Sequence, residues 1–147
     1  MAFKTVVNNS LTEQLLDAIS DITDKRGEFT LAMLVPSESG LPDSWNLVVS
    51  AKWTDEKGFH VAIPIISSSL REHLSKANGS RISRISVLGT TEPLVTELKP
   101  LEIRPGTAYR VEMFALTARG IGEAIILVAQ QARSTPTRKL QTSRTRA

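Results

Sequence analysis

Hydrophobic residues between positions 10 and 26 recur every three or four residues, which is the spacing of an amphipathic helix. The apolar stripe of this predicted helix consists of Leu11, Leu15, Ile19 and Ile22. Ser10 and Glu13 have the spacing of a capping box at its start, and Gly27 stands where a glycine commonly ends a helix. We therefore predict a helix over residues 10–26.

Two segments in which apolar and polar residues alternate follow this helix, and they predict strands over residues 28–35 and 45–53. The apolar face of the second strand consists of Trp45, Leu47, Val49, Ala51 and Trp53. The segment 37–44 between them is rich in serine, glycine and proline, which favour turns. We expect a hairpin whose apolar face covers the first helix.

The next apolar segment, residues 60–66, contains Pro64, which suits either an edge strand or the beginning of a helix. A second helix is predicted over residues 67–76, with Ser69 at its start as a cap.

A further strand is predicted over residues 81–88, and the three-residue spacing of Ile82 and Ile85 indicates either a bulge within it or a segment that is not a strand. A short helix should begin near Thr91 and end before Pro100.

The pattern predicts a second hairpin from strands over residues 107–118 and 121–130. Residues 123–129 are apolar on both faces, which is typical of a central strand. The order of elements predicts an α+β fold, with a largely antiparallel sheet of about five strands and two main helices packed mainly on one face.

Length and charge divide the chain of 147 residues into one globular domain, residues 1–131, and a tail, residues 132–147. The net charge is +3, but the tail holds five basic residues and no acidic one, so the remainder is slightly acidic. The basic residues of the tail are Arg133, Arg138, Lys139, Arg144 and Arg146. Its polar composition predicts a flexible segment.

Composition excludes several classes of protein. The chain has no cysteine, so disulfides, thiolate zinc sites and cysteine catalysis are excluded. The longest apolar run, residues 124–129, is too short to span a bilayer, and the first residues lack the apolar stretch of a secretion signal. We expect a cytoplasmic protein that does not contact a membrane.

Catalytic and metal-binding motifs are weak in this sequence. His60 and His73 lack the spacing of a metal site, and the glycines form no phosphate-binding loop, so we predict no metal and no cofactor. Ser69 and His73 are four residues apart on the second helix, but Glu72 points about 100° away from His73 on an ideal helix. We interpret Ser69 as a cap and His73 as a surface residue. These features lean against an enzyme without excluding one.

Two features suggest binding. The basic tail could contact an acidic protein or the phosphates of a nucleic acid, or it could have no role. Trp45 and Trp53 share one predicted strand, and either would mark an interface if the first helix left it uncovered.

The leading hypothesis is a non-catalytic binding or assembly module, as a homo-oligomer or as a subunit of a larger complex, whose basic tail contacts an acidic partner. One alternative is a small enzyme or ligand-binding domain with a pocket built from loops 37–44, 54–60 and 89–92. Its candidate residues are Asp55, His60 and Arg84. A second alternative is a nucleic-acid-associated accessory protein that binds through the tail.

Overall fold

The computed structural model describes residues 4–37, 41, 43–112 and 123–131. Its strands are β1 (Lys4–Val7), β2 (Phe29–Pro36), β3 (Trp45–Ala51), β4 (Ile82–Val87), β5 (Ala108–Glu112) and β6 (Glu123–Ala129). Its helices are α1 (Ser10–Arg26), α2 (Lys52–Lys57), α3 (Phe59–His73), α4 (Lys76–Gly79) and α5 (Pro93–Leu98), and α5 is followed by a 3-10 turn (Lys99–Leu101).

The described strands form one sheet in the order β1-β5-β6-β2-β3-β4. All neighbours are antiparallel except β3 and β4, which are parallel because α2, α3 and α4 carry the chain back between them. The α+β class and the largely antiparallel sheet are confirmed. The structure has six strands where the sequence predicted about five, because the short β1 gave too brief a pattern to identify and pairs with the distant β5.

Helix α1 has the predicted bounds, but a different residue caps it. Asn9 is the cap. Its side-chain Oδ1 accepts a hydrogen bond from the Thr12 backbone amide at 2.9 Å, and the Thr12 hydroxyl accepts one from the Asn9 backbone amide at 3.1 Å. The predicted box of Ser10 and Glu13 is therefore wrong by one residue. Asn9 is extended and Ser10 is already helical, so the Ser10 hydroxyl instead accepts a hydrogen bond from Asn78.

The predicted strand over residues 45–53 ends two residues early. The Thr54 hydroxyl accepts a hydrogen bond from the Ala51 amide at 3.1 Å and donates one to the Ala51 carbonyl at 2.7 Å, which starts α2 at Lys52. Trp53 therefore belongs to a helix, where its ring packs edge-on against Phe29 with centroids 6.0 Å apart. It still lies on the predicted side of the sheet, in the same core as Trp45.

The segment predicted as residues 60–66 and most of the helix predicted over residues 67–76 form the single helix α3. That helix ends at His73, three residues earlier than predicted, and Lys76 begins α4, which is one turn long. Pro64 lies in the second turn of α3, where it removes one backbone hydrogen bond without ending the helix. Ala62, Ile66 and Leu70 are buried at four-residue spacing, so burial of this stripe stabilises α3 across the proline.

The sheet separates two apolar cores. On one face, α1 and α3 pack against β2, β3 and β6, which confirms that the two main helices share a face. On the other face, α5 and the 3-10 turn cover Leu31, Met33 and Ile126. Strand β6 is buried on both faces between β5 and β2, as predicted.

No helix within the described part of the chain is long and apolar enough to span a bilayer.

We predict that Asn9→Ala destabilises the protein by about 1 kcal/mol, because it removes the side-chain acceptor at the start of α1. Asn8→Ala is the matched control, since Asn8 is the exposed neighbour outside the cap. Urea unfolding followed by circular dichroism measures both. Equal unfolding free energies for the two variants would contradict the assigned cap.

Candidate functional site

A groove of about 570 Å³ lies between α3, α4 and β4, which is the last described strand at one end of the sheet. We call it the α3–β4 groove. Apolar surface is supplied to it by Leu70 of α3, by Leu74 directly after α3, and by Ile82 and Ile85 of β4. The two leucines are buried, and the two isoleucines are half-buried. The apolar layer under α3 therefore extends as far as β4, the last described strand of the sheet.

The charged residues that line this groove are all basic. They are Arg71 on α3, Lys76 on α4 and Arg84 on β4, and all three are exposed. No carboxylate is among the described residues that line it. An apolar floor with a cationic rim is chemically suited to a ligand with both apolar and acidic groups.

Neighbouring residues hold both ends of β4. Just before the strand, the Arg81 guanidinium donates a hydrogen bond to the Asp43 carbonyl at 3.2 Å and lies 3.5 Å from the Asp43 carboxylate. Just after it, the Asp55 carboxylate of α2 accepts a hydrogen bond from the Thr90 hydroxyl at 2.6 Å. The edge formed by β4 is thus tied to the hairpin loop and to α2.

The short helix α4 is tied to α1. The Asn78 side-chain amide donates hydrogen bonds to Ser10 Oγ at 2.9 Å and to Gln14 Oε1 at 3.0 Å. The Gln14 side-chain oxygen Oε1 also accepts a hydrogen bond from the Ser75 backbone amide at 2.8 Å. These bonds fix the wall of the groove that carries Lys76.

A second polar site, the α1–α3 cluster, consists of Asp21, Ser69, Glu72 and His73. His73 Nε2 lies 3.4 Å from Asp21 Oδ2 and 3.7 Å from Glu72 Oε1. Asp21 also forms an ion pair with Lys25 at 3.2 Å. A cleft of about 320 Å³ beside the cluster is lined in part by Asp21, Ser69 and Glu72.

The cluster favours the ionised form of Asp21. The ammonium of Lys25, which hydrogen bonds to the carboxylate, is the largest influence and lowers the pKa of Asp21 from its ordinary value of 3.8. Burial opposes this shift, and His73 acts in the same direction as Lys25. Asp21 is therefore an anion at neutral pH.

The cluster does not have the order of a hydrolytic triad. In a triad the histidine lies between serine and acid, whereas here both Ser69 and His73 contact Asp21. Ser69 lies within α3, where its buried hydroxyl donates to the Ala18 carbonyl at 3.3 Å, so the prediction of a helix cap was wrong. The expectation that Glu72 lies away from His73 was also wrong, because its long side chain reaches back to the imidazole.

The two tryptophans proposed as interface residues lie on the same side of the sheet. Trp45 is half-buried and Trp53 is 6% exposed, and both pack in the core beneath α1 and α3. Trp53 therefore offers little surface to a partner in this structure, whereas Trp45 offers more.

The residues of the alternative pocket are dispersed over three elements. Asp55 lies in α2 and contacts the 89–92 segment through the hydroxyl of Thr90, a contact that joins structural elements. His60 is exposed on α3, with its ring 4.2 Å from that of Phe59. Arg84 lies on β4 in the α3–β4 groove, and part of the 37–44 loop is outside the described residues.

The five basic residues of the tail also lie outside the described residues, as does the connection between the strands predicted over residues 107–118 and 121–130.

Sequence reasoning missed Asp21 and the apolar residues of the groove as candidates. Ser69 and His73 were noted for their spacing on one helix, but no local pattern indicates that Asp21 of α1 meets them. The bulge predicted from Ile82 and Ile85 is confirmed by a register shift between β3 and β4. That bulge and Arg84, a candidate residue of the alternative pocket, are the sequence-predicted features that lie at the groove.

Comparison of the chain with protein-family models, with curated proteins and with solved structures finds no match. The geometry of these two sites therefore carries the functional argument.

We predict that Asp21→Asn lowers the unfolding free energy more at about pH 6 than at about pH 3. Because the folded-state pKa of Asp21 is lowered, the stabilisation is present above the unfolded value of 3.8 and is lost as pH falls through the folded value. Urea unfolding of both proteins at each pH measures the difference. When Lys25 is also replaced by glutamine, the effect of Asp21→Asn on the unfolding free energy should depend less on pH. An unchanged pH dependence would contradict the assignment of Lys25 as the main cause of the lowered Asp21 pKa.

Proposed function

We propose that the protein is a non-catalytic binding module that accepts an acidic, extended segment of a partner protein in the α3–β4 groove. The observation that carries this proposal is the combination of an apolar floor, a rim of three cations and a strand at the end of the sheet.

Strand β4 is the last described strand of the sheet and lines the groove, so a seventh strand added beside β4 would lie along the groove. Adjacent strands lie about 4.8 Å apart, and β4 is paired with β3 on one side. An added strand would bond to the other side of β4 through its backbone. Alternate side chains of that strand would enter the space beneath α3, beside Leu70 and Leu74. This is the mode of recognition known as β-strand addition.

Charge favours an acidic segment. Arg71 and Lys76 project from α3 and α4 around the same groove to which β4 contributes Arg84. Carboxylates on the added segment would meet these cations, whereas a basic segment would be repelled. Apolar residues at alternate positions would supply the burial that gives the contact its stability.

The test uses a labelled heptapeptide of alternating glutamate and valine, with a lysine-for-glutamate counterpart as the control probe. We predict that Arg71→Glu with Lys76→Glu weakens binding of the acidic peptide by about tenfold or more, because two attractive pairs become repulsive. Fluorescence anisotropy measures the affinity. Lys52→Glu with Lys57→Glu on α2 changes the net charge equally and should leave the affinity unchanged.

Two results would contradict this proposal. One is equal binding of the acidic and basic peptides. The other is undiminished binding of an acidic peptide that is N-methylated at alternate residues, since this modification blocks strand pairing. Sedimentation of the protein alone tests whether a second copy occupies the groove instead.

The tail is proposed as a second contact with the acidic partner, on the basis of its five clustered cations. Replacing Arg133, Arg138, Lys139, Arg144 and Arg146 by glutamine in the full chain should weaken peptide binding at low salt and reduce its salt dependence. Anisotropy measurements over a range of salt concentrations test this. An unchanged salt dependence would exclude the tail as an affinity element, and binding of single-stranded DNA that is lost in this variant would favour a nucleic-acid partner.

A further inference from the structure

The α1–α3 cluster brings together three side chains of the kinds that bind transition metals. Asp21 comes from α1, and Glu72 and His73 come from α3. One donor atom from each residue can be chosen so that all three atoms lie within 4.8 Å of one another. The set offers one imidazole nitrogen and two carboxylate oxygens, which are ligands that Zn²⁺ accepts.

The spacing of the donors matches the geometry of such an ion. Zinc bonds to nitrogen and oxygen are about 2.0–2.1 Å long, so two ligands of a tetrahedral ion lie about 3.3–3.4 Å apart. His73 Nε2 is 3.4 Å from Asp21 Oδ2 and 3.7 Å from Glu72 Oε1.

The state of the His73 nitrogen is a second observation that points to a ligand. The His73 side chain is 28% exposed, but its Nε2 atom is shielded from solvent. Asp21 Oδ2 at 3.4 Å and Glu72 Oε1 at 3.7 Å lie near Nε2, and neither has the geometry of a hydrogen bond to it. Buried polar atoms are usually paired, because leaving one unsatisfied costs stability. A metal ion between the imidazole and the carboxylates would satisfy the nitrogen lone pair.

The charge of the cluster also suits a cation. Asp21 and Glu72 supply two negative charges, and two cations, Lys25 and Arg26, line the same cleft. Both cations are exposed, and the Lys25 side chain that pairs with Asp21 is 65% exposed. Exposed ion pairs of this kind contribute little stability, so Lys25 is readily displaced by a divalent ion.

We propose that Asp21, Glu72 and His73 form a binding site for a divalent transition-metal ion of the Zn²⁺ class. Three protein ligands leave one position of a tetrahedral ion open to solvent or to a small anion. The cleft of about 320 Å³ lined by Asp21, Ser69 and Glu72 gives access to the cluster. The bound ion would also link α1 to α3. This site is independent of the α3–β4 groove, and its test does not involve the acidic peptide.

The experiment titrates the full-length protein with Zn²⁺ by calorimetry, with Co²⁺ as a spectroscopic probe of tetrahedral coordination. We expect one ion per chain. His73→Gln and Glu72→Gln should each weaken binding by about tenfold or more. Lys25→Gln should tighten it, because the competing cation is removed. His60→Gln is the matched control for the second histidine and should bind as the original protein does.

Circular dichroism checks separately that each variant is folded. Because the Glu72 side chain is 67% exposed, Glu72→Gln should fold normally, so a loss of metal binding in this variant reports on the ligand itself. Zinc should raise the melting temperature of the original protein and of His60→Gln, but not that of His73→Gln. The proposal is overturned if the original protein binds no stoichiometric metal. It is equally overturned if His60→Gln loses binding as His73→Gln does, or if folded Glu72→Gln binds with unchanged affinity.

Discussion

Strands β2 and β6 pair in the middle of the sheet with apolar side chains on both faces, and the arrangement of the other elements follows from this burial. Their backbone groups are satisfied by pairing with β3 on one side and β5 on the other. Their side chains require cover above and below, which α1 and α3 provide on one face and α5 with the 3-10 turn on the other. An element order with long helices on one side alone would leave Leu31, Met33 and Ile126 exposed to water.

Sequence patterns predicted the parts of the fold whose signal is local. The apolar stripe of α1 and the burial of both faces of β6 were both predicted from the sequence, because helix and strand periodicities appear within a few residues. The sequence patterns gave wrong or missing elements where tertiary contacts determine whether an element forms or where it ends. Strand β1 exists through its pairing with β5, the end of β3 depends on the hydroxyl of Thr54, and α3 extends across Pro64 because its apolar stripe is buried.

The two candidate sites were less predictable, since both depend on how α3 is oriented over the sheet. Leu70 and Leu74 face the groove beside β4, while Ser69 and His73 meet Asp21 of α1 on the adjoining side of the same helix. The spacing within α3 is visible in the sequence, but its partners come from elements far away along the chain. Tertiary packing specifies which distant residues these α3 side chains contact. The sequence therefore identified Ser69 and His73 as candidates, but it did not identify their partner in α1.

The contacts that hold β4 at Arg81 and at Thr90 affect the thermodynamics of any strand that adds to it. A mobile edge would have to lose conformational freedom when a ligand orders it, and that loss would reduce the affinity. In this protein the Arg81–Asp43 ion pair and the Thr90–Asp55 hydrogen bond order the two ends of β4 when the chain folds, before any ligand binds. Most of the entropy penalty on docking would then fall on the incoming segment, so a partner already constrained to an extended conformation would gain the most.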